Sequence, residues 1–272
     1  MFSIMRNELK DLAADLAAYL RGLDEDTYIS VADRTPSSRA AAPGPQTKEP
    51  AVRSQASGDG PPAAGAEPYA AEMSALSAEI RKCRKCQLGN SRLNAVVGVG
   101  NPRAKIVFVG EGPGFQEDHK GEPFVGRSGA LLDKILATVL GLKREDVYIA
   151  NIVKCHPMIN PETPEAHGND RPPGIEEISA CRPYLDRQLM LIKPRCIVPL
   201  GSVATRVLLG ATRGISFMRG KWYDYPVELF GPGHPIKVLP TYHPAALLRN
   251  SELKRETWED MKMLKSFLEK EL

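Results

Sequence analysis

Four short runs of apolar residues stand out along the chain, each bounded by glycine, proline or charged positions. They are rich in Val and Ile, and a length of about four to eight residues is typical of strands that are buried on both faces of a parallel sheet. The pattern therefore predicts four parallel strands, over residues 105–110, 146–153, 195–201 and 236–241.

Segments with apolar residues at helical spacing lie between and around these runs. They cover residues 71–82, 128–140, 174–192, 202–210 and 254–270. A chain that alternates strand and helix in this way folds as a parallel sheet with helices on both faces. The predicted fold class is α/β, as a three-layer α/β/α sandwich with a central parallel four-stranded sheet. Residues 158–173, rich in Pro, Gly and Asn, are predicted to form a loop.

The beginning of the chain differs in pattern from the rest. Residues 1–29 contain an amphipathic helix, in which Leu9 and Leu12 are among the apolar positions. Residues 30–70 are dominated by Pro, Ala, Gly and Ser, a composition that favours a disordered linker. One globular domain is then predicted over 71–272. The leading helix either docks a partner protein or covers part of the domain surface, and its amphipathicity favours neither.

Composition limits the cellular setting more than the chemistry. With 272 residues the chain can bury a large core, and a formal charge of +3 permits nucleic-acid binding without arguing for it. No apolar run is long enough to span a bilayer. Charged residues such as Arg6 and Asp11 stand where a signal peptide would need an apolar core. The sequence therefore predicts a cytoplasmic protein with no membrane partner.

Four of the five cysteines form a candidate metal site. Cys83 and Cys86 are a CxxC pair, and Cys155 and Cys181 could join them in the fold. Four thiolates suit either a zinc ion or an iron–sulfur cluster, and their spacing does not choose between the two. Four unrelated cysteines are the alternative. The fifth, Cys196, lies in the third apolar run, where we expect a small core side chain.

A glycine-rich loop over residues 110–129 follows the first apolar run and carries several carboxylates, among them Glu111 and Glu117. Ligands of open α/β sheets bind at the carboxyl ends of the strands, and Glu111 is predicted to lie there. The GxGxG pattern at the start of the loop is a weak dinucleotide fingerprint, because no helix opens directly after it and the carboxylates would repel a pyrophosphate. The loop better suits a site where positive charge develops.

Three further residues are candidates for the same edge of the sheet. His243 comes just after the 236–241 run, a position that favours a functional role over a structural one. Asn151 is a polar residue within the 146–153 run, so it is either a satisfied core amide or an amide that reads a ligand. Phe124, on the glycine-rich loop, is either a core residue or a stacking platform.

With these residues assembled, the chain resembles the iron–sulfur uracil-DNA glycosylases, family 4 of that superfamily, from about residue 76 to residue 272. The resemblance rests on the motifs GEGPGFQED, GEPFVGRSG, NIVKC, ACRPYL and HPAALLR. Several ordered motifs are far more specific than any one of them. The resemblance implies a monofunctional enzyme of base excision repair, working at the nucleoid, that removes uracil from single- and double-stranded DNA and leaves an abasic site.

The resemblance also implies roles for individual residues. Glu111 would act on the attacking water and stabilise the cationic sugar, while His243 would stabilise negative charge on the departing uracil. Phe124 would stack on the flipped base and Asn151 would read its polar edge. Glu117 would lie near C5 of uracil and exclude the methyl group of thymine.

The resemblance extends to the DNA contacts and to a cofactor. Leu247 would fill the gap that the flipped base leaves in the duplex, and Gly112 and Arg249 would also bind substrate. The protein is expected to be a monomer. A structural [4Fe–4S] cluster would be held by Cys83, Cys86, Cys155 and Cys181.

Other functions compete with this one. A related branch cross-links covalently to DNA through a histidine in a basic insertion, and this chain carries His167 in the long 158–173 segment. However, Gly168 and Asn169 follow His167, and the basic run is missing. The remaining rivals are a redox or nucleotide-binding enzyme and a non-catalytic iron–sulfur DNA-binding module, for which Glu111 would have no purpose.

Overall fold

The structure is a computed structural model that describes residues 66–225 and 235–270. The predicted helix within residues 1–29 and nearly all of the predicted linker lie outside the described residues. The first described helix, α1, spans Ala66–Lys82 and so begins before the predicted start at residue 71. None of the helices in the described ranges is both long and apolar enough to cross a membrane.

One mixed sheet forms the middle of the domain. Its strands are β1 (Val99–Gly100), β2 (Ile106–Gly110), β3 (Tyr148–Asn151), β4 (Cys196–Pro199), β5 (Tyr223–Asp224) and β6 (Lys237–Val238). Their order across the sheet is β1–β3–β2–β4–β6–β5. The four central strands pair in parallel, which confirms the predicted parallel core.

The two outermost strands of the sheet differ from the prediction. β1 pairs antiparallel with β3, and β5 pairs antiparallel with β6, so the sheet has six strands rather than four. Each edge strand has only two residues, which is too short for a pattern of apolar positions to reveal.

Helices cover both faces of the sheet. After α1 they are α2 (Leu88–Ser91), α3 (Phe115–Lys120), α4 (Arg127–Ile135), α5 (Ile175–Ile192), α6 (Ser202–Leu209), α7 (Ile215–Met218), α8 (Pro244–Arg249) and α9 (Leu253–Lys270). A π-helical turn, Leu136–Leu140, continues α4, so the predicted 128–140 helix is present in two parts. The predicted loop over 158–173 contains no helix, and one bridge between Met158 and Asp170 closes it.

Alternate residues of β2 face opposite sides of the sheet, as a strand buried on both faces requires. Ile106 and Phe108 belong to one apolar cluster, and Val107 belongs to the other. The first cluster includes Leu132 of α4 and Leu264 of α9. The second includes residues of α1, α5 and α6, namely Ile80, Leu185, Leu189, Ala204 and Leu208. The predicted three-layer sandwich is therefore the observed architecture.

Candidate active site

The carboxyl ends of β2 and β3 lie side by side, with Gly110 opposite Asn151 in the register of the sheet. A β-carbon on Gly110 would clash with Asn151 Oδ1 and would lie 2.7 Å from Phe124 Cζ, so glycine is required here. Asn151 and Phe124 therefore meet over the last residue of β2. Glu111 is the next residue along the chain, which places its backbone at this edge.

His243 lies at the same carboxyl-terminal edge, but it follows β6 in the other half of the sheet. The N–H of Gly201 donates to the carbonyl oxygen of Thr241, which joins the end of β4 to the segment after β6. Gly201 has a φ of +90°, and a β-carbon there would lie 3.1 Å from His243 Cβ. The His243 ring packs against the Phe124 ring, with 5.4 Å between centroids. An unbroken set of contacts thus runs from His243 through Phe124 to Asn151.

The backbone of Phe124 is strained and is held in place from several directions. Its φ of +54° lies in the left-handed region, which costs a residue with a side chain about 1–3 kcal/mol. Arg144 donates hydrogen bonds to the carbonyl oxygens of Phe124 and Pro123. Gly129 lets α4 approach so closely that a β-carbon there would overlap the Phe124 carbonyl. Such imposed strain is typical of a binding site.

Glu117 ties the two ends of the glycine-rich loop together. Its Oε1 accepts from the N–H groups of Val125, at 3.1 Å, and Gly126, at 3.3 Å. Its Oε2 accepts from the N–H of Gly114 at 3.2 Å. Both carboxylate oxygens are therefore engaged with the backbone on either side of Phe124. This bracing was not apparent from the sequence, because the two ends of the loop are far apart along the chain.

The hydrogen bonding of His243 determines which ring nitrogen carries the proton. Nδ1 accepts from the N–H of Ala245 at 3.1 Å and caps α8. The neutral ring must then carry its hydrogen on Nε2. Burial, assisted by the charge of Arg249, lowers the pKa of His243 to about 4. At neutral pH His243 is therefore an uncharged imidazole with Nε2–H available as a donor.

Glu111 has the opposite kind of electrostatic environment. Burial raises the pKa of its carboxyl group above the ordinary value, and the nearby charge of Arg206 partly opposes this. Arg206 lies on α6, where the sequence pattern indicated only a helix. A carboxyl with a raised pKa and an imidazole with a lowered pKa, at one edge of one sheet, are the pair expected for acid–base chemistry.

Asn151 has the best evidence for reading a ligand. The residue is 2% exposed, and its Oδ1 has no hydrogen-bond partner within the described ranges. Buried polar side-chain atoms are nearly always paired, so an unpaired amide oxygen at a strand end suits a ligand that supplies the N–H. Of the two interpretations left open by the sequence, the satisfied core amide is not the one observed.

Helix α8 carries two adjacent leucines of opposite burial. Leu247 is 1% exposed and packs into the domain, whereas Leu248 is 41% exposed. The insertion of Leu247 into DNA stays a prediction, and its exposed neighbour Leu248 is a second candidate for that role. Arg249 is exposed at the end of the same helix.

Gly112, on the glycine-rich loop, lies close to the segment that follows β3. A β-carbon on Gly112 would lie 2.8 Å from Val153 Cγ2. The loop backbone therefore lies directly against the segment that follows β3.

The four predicted ligand cysteines line one pocket. They come from the α1–α2 connection (Cys83, Cys86), the segment after β3 (Cys155) and helix α5 (Cys181). Burial raises the pKa of the Cys155 thiol to about 12. Burial also raises the pKa of the Cys181 thiol above its ordinary value. Within the described ranges no three Cys, His, Asp or Glu side chains are placed to ligate a single ion. Cys196 lies in the core, away from this pocket.

Sulfur atoms of this pocket, among them those of Cys155 and Cys181, accept from nearby donors. Arg92 Nη1 lies 2.9 Å from Cys155 Sγ, and the N–H of Lys154 lies 3.2 Å from Cys181 Sγ. Cationic and N–H donors stabilise thiolates, so the pocket fits a group that is held by thiolate ligands. Lys154 is fully buried, and its Nζ donates to the carbonyl oxygen of Asn151 at 2.8 Å. This lysine, missed by sequence reasoning, links the cysteine pocket to the edge that carries Asn151.

The 158–173 segment packs against α3. The ring of His167 lies 4.1 Å from the ring of Phe115, measured between centroids. His156 is buried and its Nε2 is 2.6 Å from Asp170 Oδ1, while Glu165 pairs with His119 at 2.8 Å. The segment thus supports the helix that follows the glycine-rich turn.

Comparison with known proteins places these features in a family. The model of the uracil DNA glycosylase superfamily matches residues 97–262. The type-4 uracil-DNA glycosylase of Saccharolobus solfataricus is 43% identical over 197 residues, which is 71% of this chain and 85% of that protein. The type-4 enzymes of Thermotoga maritima (44% over 202 residues; 73% and 96%) and Archaeoglobus fulgidus (45% over 190 residues; 68% and 88%) are similarly related. The chain belongs to the uracil-DNA glycosylase superfamily, and within it to the type-4 family, as its motifs predicted.

Proposed function

We propose that the protein hydrolyses the bond between uracil and deoxyribose in DNA, leaving an abasic site for base excision repair. The observation that carries this proposal is the unpaired Oδ1 of Asn151, which lies at the same end of the sheet as Phe124 and His243. Gly110, which pairs with Asn151 in the sheet, directly precedes Glu111. A fluorescent oligonucleotide that contains one uracil tests it. After alkali treatment, strand cleavage at the abasic site is expected, whereas a redox enzyme or a non-catalytic DNA-binding module would leave the strand alkali-resistant.

The proposed reaction begins with extrusion of the uracil nucleotide, which costs a few kcal/mol and least in single strands. Phe124 supports the extruded base, and stacking on an aromatic ring recovers about 1–3 kcal/mol. The Asn151 amide pairs with the N3–H and O4 edge of uracil. Glu117 holds the loop that borders C5, where the methyl group of thymine would need space.

Bond cleavage separates charge between the sugar and the base. The C1′–N1 bond breaks, the sugar becomes cationic and uracil leaves as an anion. The neutral His243 donates Nε2–H to the developing negative charge on the base. The Glu111 carboxylate stabilises the cationic sugar and accepts a proton from the water whose oxygen adds to C1′. No protein amine is needed, so the enzyme is monofunctional.

Replacing Asn151 by aspartate should change the base preference. A carboxylate cannot donate to O4 of uracil but accepts from the N4 amino group of cytosine. Because a buried unpaired group costs about 1–3 kcal/mol, we expect uracil removal to fall roughly 10- to 100-fold and cytosine removal to appear. Competing uracil and cytosine oligonucleotides measure the ratio. Asn101→Asp, at the opposite edge of the sheet, is the matched control, and an unchanged ratio in Asn151→Asp would refute the proposed readout.

The two leucines of α8 should behave oppositely. Leu248→Ala is expected to retain the melting temperature and single-strand activity but to lose activity on duplex DNA, because nothing then fills the gap left by the flipped base. Leu247→Ala is expected to destabilise the fold by about 2–5 kcal/mol, because it leaves a cavity. Denaturant unfolding and paired single- and double-strand assays separate the effects. A duplex defect in a stably folded Leu247→Ala protein would instead support the insertion of Leu247.

We further propose that the four cysteines of the pocket hold a [4Fe–4S] cluster, as the family resemblance implies. When bound, the cluster would tie α1, α5 and the segment after β3 together, and it supplies no chemistry to the reaction. Cys83→Ser should lose iron and visible colour and unfold at lower temperature, whereas Cys196→Ala should keep its colour. A colourless wild-type protein that contains zinc would contradict this assignment.

We propose that both single- and double-stranded uracil-DNA are substrates, that the enzyme is a monomer and that it works on chromosomal DNA in the cytoplasm. We propose that the glycosylase domain spans 71–272, preceded by a linker over 30–70 and by a helix within 1–29 that either docks a partner protein or covers part of the domain surface. Cross-linking to DNA is not favoured, because His167 packs on Phe115 and lacks basic neighbours.

A further inference from the structure

The segment that follows α6 exposes an aromatic ring between two cations. Phe217, on α7, is 47% exposed. The guanidinium carbon of Arg213 lies 3.9 Å from the centre of its ring, and Lys221 Nζ also lies 3.9 Å from it. We call these three residues the Phe217 patch. Both cations therefore lie against the same exposed ring, which offers each a cation–π interaction but no formal negative charge.

Among residues 66–225 and 235–270, no carboxylate compensates the two cations. Within the described ranges neither Arg213 nor Lys221 forms an ion pair, and both side chains are exposed. Asp224 lines a shallow pocket together with Arg213, but its carboxylate is paired with Lys237 at 2.6 Å. The basic residue between them in sequence, Arg219, is engaged with Asp260. The two cations of the patch therefore remain available to an external anion.

The patch lies beside the edge of the sheet that carries His243. The N–H of Gly220 donates to the carbonyl oxygen of Pro240 at 3.3 Å. The hydroxyl groups of Ser216 and Tyr242 are 3.4 Å apart, and Tyr242 immediately precedes His243. A DNA strand that places one nucleotide at this edge continues on both the 5′ and the 3′ side of that nucleotide. Helix α7 is one of the elements that flank the edge.

We propose that the Phe217 patch binds phosphate groups of the substrate strand outside the flipped nucleotide. The proposal rests on the proposed function, since it assumes that uracil-DNA occupies the edge next to the patch. Arg213 and Lys221 supply the charge, and the ring restricts their side chains, which lowers the entropy lost on binding. With cations over the ring, the anionic backbone fits the patch better than a stacked base does. Phosphate binding by two cations also predicts a measurable salt dependence.

The test compares short and long DNA. The probes carry an uncleavable tetrahydrofuran abasic analogue, with either one flanking nucleotide on each side or extensions on the 5′ side, the 3′ side or both. Arg213→Gln and Lys221→Gln should each reduce the slope of log affinity against log salt by about 0.7 on long single strands. That corresponds to roughly five-fold weaker binding near 0.1 M salt. Binding of the short probe should not change.

Phe217→Leu separates the ring from the charges. It keeps an apolar side chain and both cations, so we expect an unchanged salt slope with affinity for the long probe about two- to five-fold lower. Arg195→Gln and Lys105→Gln are matched controls, because both residues are exposed at the starts of β4 and β2, on the opposite edge of the sheet. These controls should bind every probe like the wild type.

Several results would overturn the proposal. Unchanged slopes in Arg213→Gln and Lys221→Gln, equal losses in the two controls, or equal losses on the short probe would each exclude phosphate binding by the patch outside the flipped nucleotide. A wild-type protein that fails to cleave uracil-DNA would instead refute the proposed function. Normal cleavage with unchanged slopes removes only the patch. If Arg213→Gln and Lys221→Gln weaken binding only of probes extended on one side, 5′ or 3′, that side of the target nucleotide is the one that contacts α7.

Discussion

Glu111→Gln is expected to lower single-turnover cleavage of uracil-DNA by about 10²- to 10⁴-fold, the usual contribution of a positioned general base. Glutamine keeps the size and burial of the side chain, but it can neither accept the proton of the attacking water nor offset the positive charge of the sugar. Binding of an uncleavable probe should stay close to that of the wild type, because the lost interactions form only as charge develops. Wild-type cleavage by Glu111→Gln would refute the assigned role.

The pH profile provides an independent check of Glu111. Because burial raises the pKa of its carboxyl group, wild-type activity should fall with decreasing pH at a value above the ordinary glutamate pKa. Protonation removes the form that acts as base, so the loss occurs on the acid side. His243, with its pKa lowered to about 4, stays neutral through most of this range and should not produce the acid limb. The fall in activity at low pH should therefore be absent from the residual activity of Glu111→Gln and present in the activity of His243 variants.

His243→Ala is expected to reduce cleavage by about 10²- to 10³-fold, the usual effect of removing one donor that faces developing negative charge. Alanine also removes the cap of α8, which costs about 1 kcal/mol of stability. His243→Ser separates the two functions, since serine caps a helix but is too short to reach the base. We expect Ser to recover stability and not activity. Recovery of wild-type cleavage by His243→Ser would mean that the histidine serves only as a cap.

Much of the fold follows from local pattern alone. The runs around Ile106, Ile149 and Ile197 are buried on both faces, and such strands leave a continuous apolar signal. The edge strands leave none, because each has two residues and one half-exposed side. Helices α3, α7 and α8 have four or six residues, and their positions depend on contacts with the sheet rather than on an apolar stripe of their own.

The site was partly predictable for a topological reason. Residues that follow parallel strands gather at one edge, so Glu111, Asn151 and His243 could be placed together before any coordinates. The supporting residues could not be placed from the sequence, because the contacts of Arg144 and Lys154 join segments that are distant along the chain. The opposite burial of Leu247 and Leu248 also required the structure, since adjacent leucines on a six-residue helix have equal sequence signals.

The central claim is that Glu111, Asn151 and His243 act on one extruded uracil. A crystal structure of the protein with abasic DNA and free uracil tests it most directly. We predict one uracil ring within hydrogen-bond distance of both the Asn151 amide and His243 Nε2, with the Glu111 carboxylate beside C1′ of the abasic sugar. Uracil bound elsewhere, or Glu111 and His243 directed into separate cavities, would contradict the account.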